Sequence, residues 1–184
     1  MNFWQGKRIK LRGIEPADAE AFFAWNKDSD MARFVDHVWF PVSLEFVKRW
    51  AEKTAAEGPK DDQFQWVIED LAGNLVGTIN THDCDRRVGT FEYGVAVREE
   101  HKRKGYAAEA ILLVLRYFFE ELHYQKVTAH VYSNNRPSIR LHETLHFQLE
   151  GRLRRMAFTE GQYFDKLVYG MTVEEFQAAY PREN

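Results

Sequence analysis

Hydrophobic and polar positions along the chain fall into short runs of two distinct periods. Over Lys7–Ile14, Ile9 and Leu11 alternate with polar neighbours, the period-two mark of a strand with one buried face. Pro16 opens a helix through Trp25, in which Ala19, Phe22, Phe23 and Trp25 supply an apolar face and proline suits the first turn. A short helix is predicted over Asp28–Val35. A third runs from Leu44 to about Ala56, with Ser43 as its cap and Gly58-Pro59 as its stop.

The pattern changes after Pro59. Phe64–Glu69 and Leu75–Thr81 read as strands joined by the turn Leu71-Ala72-Gly73-Asn74. Thr90–Val97 is a third strand of this region, with Phe91, Tyr93, Val95 and Val97 alternating. A polar loop, Arg98–Lys104, leads into a long helix from Gly105 to about Leu122, where Ala108, Ile111, Leu112, Leu115, Phe118 and Phe119 recur at helical spacing. Then come a strand at Lys126–Tyr132 and a helix at Pro137–Leu145. A hairpin of Phe147–Phe158 and Gln162–Met171 turns at Thr159-Glu160-Gly161, and a terminal helix covers Glu174–Tyr180. This order predicts an α+β fold, with a mostly antiparallel sheet and one crossover helix between strands.

At 184 residues, the chain is expected to form one domain over 1–184, large enough to bury a core without a disulfide or metal staple. Aromatic residues at 15% imply an aromatic-rich core or pocket, and a net charge of −3 speaks against general binding to nucleic acid or a membrane surface. The lone cysteine, Cys84, excludes an internal disulfide and fits a reducing cytosol. The N-terminus opens on no apolar h-region, and the longest apolar run, Ala110–Leu115, is too short to span a bilayer, so a cytoplasmic location is expected.

The chemistry concentrates where a strand enters the basic loop. Val95-Ala96-Val97 is followed by Lys102-Arg103-Lys104-Gly105-Tyr106-Ala107 at a helix start. Unpaired N–H groups and a partial positive charge make a helix N-terminus suited to an anion. Cations there are locally unfavourable, and a bound pyrophosphate would account for them. Gly105 allows close approach of the backbone, and Ala107 with Ala108 keeps the first turn slim. A solvated basic loop is the competing reading of the loop taken alone. Neither a P-loop nor a dinucleotide fingerprint is present.

Lys102-x-x-Gly105-x-Ala107 resembles the Gln/Arg-x-x-Gly-x-Gly/Ala loop of the GNAT acetyltransferase superfamily, with Lys in the Gln/Arg slot. Asn135-Arg136-Pro137-Ser138 followed by Leu145-His146-Phe147 resembles that family's Asn-x-x-Ser helix ending in Leu-Gly-Phe, with His146 in place of Gly. Leu11-Arg12, Glu15-Pro16-Ala17-Asp18, Leu149–Arg154, Gly161-x-Tyr163-x-Asp165 and Tyr169-Gly170-Met171 resemble the branch that includes ribosomal-protein alanine N-acetyltransferases. The match spans about Lys7 to Met171. It implies a mixed, mostly antiparallel sheet flanked by helices, with a V-shaped cofactor cleft, and acetyl-CoA as co-substrate without a metal. Val95, Ala96 and Val97 would pair with the pantetheine arm, and the amides from Arg103 to Ala107 would hold the pyrophosphate beside Lys102. Asn135 and Ser138 would sit near the thioester. Dimers are common in the family, which admits a homodimer.

An amine must be neutral to attack a thioester, and an alkylammonium has a pKa of about 10, so a base is needed and an acid should meet the departing thiolate. Glu92, on the strand entering the loop, is the candidate base. Ser138 is the candidate partner of the thiolate, as the resemblance implies, and His142, where related spermidine acetyltransferases carry a tyrosine acid, is a further candidate acid. A backbone N–H near Val95 would serve the oxyanion. Cys84 lies outside the matched motifs, which favours direct transfer. Ala157 stands where one type of ribosomal-protein acetyltransferase keeps a glutamate base, so that role does not carry over. Trp25, Phe34, His37 and Trp39 are candidates for the acceptor pocket.

His142-Glu143-Thr144-Leu145-His146 also matches H-E-x-x-H, but the extended zinc signature fails at Leu149 and Arg152, and the other histidines show no ligand spacing. Three functions are thus carried forward: an N-acetyltransferase acting on a protein N-terminus or small amine, a non-catalytic CoA-binding module on the same fold, and, remotely, a zinc hydrolase.

Overall fold

The computed structural model describes residues 2–35 and 37–181. The first part of the chain runs β1 (Ile9–Gly13), a 3-10 turn (Pro16–Asp18), α1 (Ala19–Trp25), α2 (Ser29–Val35), α3 (Leu44–Glu57), β2 (Gln65–Asp70), β3 (Leu75–Asp85) and β4 (Thr90–Val97). It continues through a 3-10 turn (Glu99–His101), α4 (Tyr106–Glu120), β5 (Lys126–Tyr132), α5 (Arg136–Thr144), β6 (Gln148–Thr159), β7 (Gln162–Thr172) and α6 (Val173–Ala179). No helix among the described residues is long and apolar enough to cross a membrane.

The strands hydrogen-bond in the order β1-β2-β3-β4-β5-β7-β6. Pairs β1–β2, β2–β3, β5–β7 and β6–β7 are antiparallel, whereas β4 and β5, the strands that α4 connects, are parallel. This is the mixed, mostly antiparallel sheet expected. The parallel pairing covers only Thr90↔Lys126, Phe91↔Val127 and Glu92↔Thr128, while β5 stays paired with β7 as far as Tyr132. The β4–β5 pairing thus ends at Glu92.

The chain gathers into two units, Met1–Thr81 with Val95–Leu113 and His82–Gly94 with Val114–Asn184. In the first, Phe22 of α1, Val47 and Ala51 of α3, Ile14 and Val67 of β2 are buried together, with Trp25 and Trp50 packed against them. Val47 and Ala51 are one helical turn apart, so one face of α3 meets this core. Ser43 Oγ accepts from Phe46 N at 3.1 Å, and Gly58 ends the helix at φ 64°, as the cap and stop residues predict. In the second unit Phe91 of β4 stacks on Phe118 at 4.2 Å and meets Phe119 and Tyr124 edge-on, and Phe119 packs on Phe176 of α6. The expected aromatic core is this cluster.

β3 runs on to Asp85 instead of stopping at Thr81. Cys84 is the one apolar residue of 82–85, so no apolar alternation announces this extension; Asp85 instead closes the following turn, accepting from Arg87 N at 2.8 Å and Val88 N at 3.2 Å through its side chain and from Gly89 N at 2.7 Å through its carbonyl.

Candidate active site

The basic loop ends in two left-handed residues, Arg103 at φ 62° and Gly105 at φ 81°, immediately before α4. A Cβ on Gly105 would lie 2.7 Å from Nη1 of Arg8, so glycine serves both the backbone conformation and the approach of that guanidinium. The loop cations divide into two sets. Lys102 pairs with Glu99, and Arg98 pairs with Glu100 at 2.8 Å. Arg103 and Lys104 are exposed and, among the described residues, have no carboxylate partner. Lys104 and Tyr106 share a cavity of about 470 Å³ with Arg8 and the turn residues Asp70, Leu71 and Ala72. Lys104 and Arg8 therefore bring positive charge to a ligand-sized space at the start of α4, a composition that fits a phosphate-bearing ligand. Arg8 and the Asp70–Ala72 turn line this cavity beside the expected loop, and the sequence reading did not include them. Arg8 carries no local motif, and only the β1–β2 pairing, Ile9↔Asp70, brings it to this turn.

Val95, Ala96 and Val97 are half-buried. Gly77 of β3 lies so close that a Cβ there would run into the Ala96 carbonyl oxygen, and Arg98 N donates to Val76 O at 2.9 Å.

Asn135, Ser138 and His142 form one constellation at the start of α5, with Tyr93 of β4. Asn135 caps the helix, its Oδ1 accepting from Ser138 N at 3.1 Å. His142, 3% exposed, sits one turn beyond Ser138. Its Nδ1 donates to Ser138 O at 2.8 Å, and Ser138 Oγ lies 3.4 Å from the same nitrogen. Nε2 then accepts from the Tyr93 hydroxyl at 2.8 Å. This pattern corresponds to a neutral imidazole with its proton on Nδ1. Burial pushes the His142 pKa down, against the opposing hydrogen bond to Ser138, and pushes the Tyr93 pKa well up. The ring is further enclosed by Tyr169 and Phe147 at centroid distances of 5.5 and 5.1 Å. Tyr93 was not among the expected site residues; the alternation that marked it as a core position concealed its hydroxyl.

The H-E-x-x-H match has no zinc geometry. α5 ends at Thr144, and His146 lies past it at φ 67°, so the two imidazoles do not share a helix face. Both nitrogens of His142 are also engaged within the protein.

Glu92 follows a different course. Neighbours on a strand point to opposite faces, so Glu92 turns away from the face that carries Phe91 and Tyr93. It meets His130 of β5, with Nε2–Oε2 at 3.1 Å, and His82 of β3, with Nδ1–Oε2 at 3.9 Å. The base and acid candidates therefore occupy opposite faces of β4.

The acceptor-side aromatics are not gathered. Trp25 belongs to the core around α1 and lies under the Arg98 guanidinium at 5.5 Å, with its Nε1 buried and unpartnered. Phe34 is 39% exposed and lies 5.9 Å from Lys102 Nζ. His37 and Trp39 form a separate ring pair at 3.8 Å in an exposed segment.

Residues 8–148 match the family described as an acetyltransferase (GNAT) domain. The prophage-derived N-acetyltransferase YokL of Bacillus subtilis is 45% identical over 177 residues, covering 96% of this chain and 97% of that protein. A spermidine N(1)-acetyltransferase of Vibrio cholerae is 25% identical over 158 residues, with 86% and 89% of the two chains covered. In fold, the chain is similar to the crystal structure of spermidine N-acetyltransferase from Vibrio cholerae in complex with CoA and spermine. The TM-score is 0.79, the identity 22%, and the coverage 93% of this chain and 99% of that one. It is also similar to a GNAT-family acetyltransferase from Bacillus anthracis, with a TM-score of 0.77, 24% identity, and 93% and 98% of the chains covered.

Proposed function

The chain belongs to the GNAT acetyltransferase family, and from that premise we propose that it moves the acetyl group of acetyl-CoA to a small primary amine by direct attack. The observation that carries the donor half is the left-handed turn at Arg103–Gly105, where the Arg103 and Lys104 side chains have no carboxylate partner among the described residues and the Arg8 guanidinium approaches Gly105. The acceptor half draws on two supports: the spermidine acetyltransferase relatives, and the negative charge of Glu92 and Asp83 on an accessible sheet face, which suits a cationic amine. A protein N-terminus, the acceptor of the ribosomal-protein alanine branch, is the finer alternative that the Gly161-x-Tyr163-x-Asp165 hairpin motif supports.

Acetyl-CoA supplies an activated acyl carbon and a thiolate leaving group. Amides from Arg103 to Ala107 hold the pyrophosphate, with Arg103 and Lys104 as counter-charges. The free edge of Val95–Val97 pairs with the pantetheine arm, and the Val95 N–H stabilises negative charge on the acetyl oxygen. Glu92 takes one proton of the incoming ammonium through water; the nitrogen lone pair then attacks the acetyl carbon, the C–S bond breaks, and the second proton shed by the new amide nitrogen passes to the departing thiolate, which leaves as free thiol. Ser138 donates its hydroxyl hydrogen bond to the sulfur. His142, neutral and enclosed, positions Ser138 in place of serving as the acid itself. The lone Cys84 is consistent with a reducing, cytoplasmic setting.

The test is release of free thiol from acetyl-CoA across polyamines, small amines and N-terminal peptides. Turnover with polyamines is expected, with kcat lowered by Glu92→Gln and by Ser138→Ala. Turnover with N-terminal peptides alone would overturn the small-amine acceptor. Tight acetyl-CoA binding without turnover on the whole panel would instead identify a CoA-binding module.

A further inference from the structure

His82, Asp83 and Glu92 gather from the adjacent strands β3 and β4, with His130 of β5 beside Glu92, and we propose that they form a binding site for a transition-metal dication of the zinc class, which when filled would withhold Glu92 from the proton transfer proposed above. One ligand atom each from His82, Asp83 and Glu92 lie within 4.8 Å of one another. His82 Nδ1 is 2.8 Å from Asp83 Oδ2 and 3.9 Å from Glu92 Oε2, and His130 Nε2 joins through Glu92 Oε2 at 3.1 Å. Bonds of about 2.1 Å in a tetrahedral shell place ligand atoms about 3.4 Å apart, and the 2.8 and 3.9 Å separations from His82 Nδ1 lie on either side of that value.

The donor set narrows the choice of ion. Two imidazoles with two carboxylates suit zinc and its first-row neighbours, whereas magnesium and calcium favour oxygen alone.

The backbone contributes as well. Consecutive residues of a regular strand point to opposite faces, which would separate the His82 ring from the Asp83 carboxylate. Asp83 instead adopts φ 47°, a left-handed conformation costly for a residue with a Cβ, and its carboxylate turns back to His82 Nδ1. The site is also open to an incoming ion: side-chain exposure is 38% for His82, 77% for Asp83, 26% for Glu92 and 30% for His130. Water would complete the shell.

The test is calorimetric titration of the chelator-stripped, untagged full chain with zinc chloride, without acetyl-CoA or amine, so that its result stands apart from that of the acetylation assay. One zinc per chain is expected. His82→Ala and His130→Ala should each weaken binding at least tenfold, and His123→Ala, on a distant turn, should leave it unchanged. Melting curves with and without zinc provide a second readout, since a native-state ligand raises Tm in the parent and loses that effect in the two variants. The proposal is overturned by the absence of saturable binding below millimolar zinc, or by affinity and Tm shift that survive both histidine substitutions.

Discussion

The Tyr93 hydroxyl lies 2.8 Å from Nε2 of His142, joining β4 to α5 through a hydrogen bond sealed from solvent. Because Nδ1 of the same ring is committed to the Ser138 carbonyl at 2.8 Å, Nε2 has no proton of its own and depends on the phenol. Tyr93→Phe should leave a buried acceptor unpaired and cost about 1–3 kcal/mol. Urea unfolding of Tyr93→Phe, His142→Phe and the double variant measures this, and the double variant should lose less than the sum of the singles.

The same ring imposes a pH dependence on stability. The folded His142 pKa lies below the ordinary value of 6.5, chiefly because burial penalises the imidazolium. The unfolded chain therefore binds a proton that the folded chain refuses, and stability falls as pH drops through 6.5 toward the folded value. The slope is at most about 1.4 kcal/mol per pH unit for one group, and it vanishes above neutrality. Thermal melts from pH 8 to pH 5 should show the decline in the parent and a shallower one in His142→Phe.

Arg12 bridges two carboxylates, with Nη1 and Nη2 on Asp18 at 2.8 and 2.9 Å and Nε on Glu69. Burial acts to raise both carboxyl pKa values, yet the Arg12 hydrogen bonds, with those of Glu15 N to Asp18 and Lys10 to Glu69, carry them below the ordinary range. Their contribution is thus present above the unfolded pKa of about 4 and is lost as pH falls through the folded values. Arg12→Met should cost about 1–3 kcal/mol at neutral pH and flatten the acid limb below pH 4, both readable by denaturation at fixed pH.

Gly105→Ala tests the cofactor loop. The guanidinium of Arg8 can swing away from a new methyl group, but φ 81° remains strained for alanine by about 1 kcal/mol. Distortion of the amides should raise the acetyl-CoA Kd at least tenfold while Tm falls by only a few degrees, as titration calorimetry and a thermal melt would separate.

The parts of this protein that the sequence by itself determined are those controlled by short-range periodicity and local chemistry. The β6–β7 hairpin turns at Thr159-Glu160-Gly161, Ser43 and Gly58 bound α3, and the loop from Lys102 ends where α4 begins at Tyr106, because each depends on residues within a turn or two of one another. Tertiary structure decided what strand pairing and packing bring together from afar. His82 and His130 had no ligand spacing until the order β3-β4-β5 set them on either side of Glu92, and Arg8 meets the start of α4 through its N–H bond to Glu109, 101 residues away in sequence. The fate of His142 was decided in the same way. Its spacing from Asn135 and Ser138 placed it on the helix, but its enclosure by Tyr93, Phe147 and Tyr169 gave it a neutral, buried imidazole, since burial depends on neighbours that no local pattern specifies.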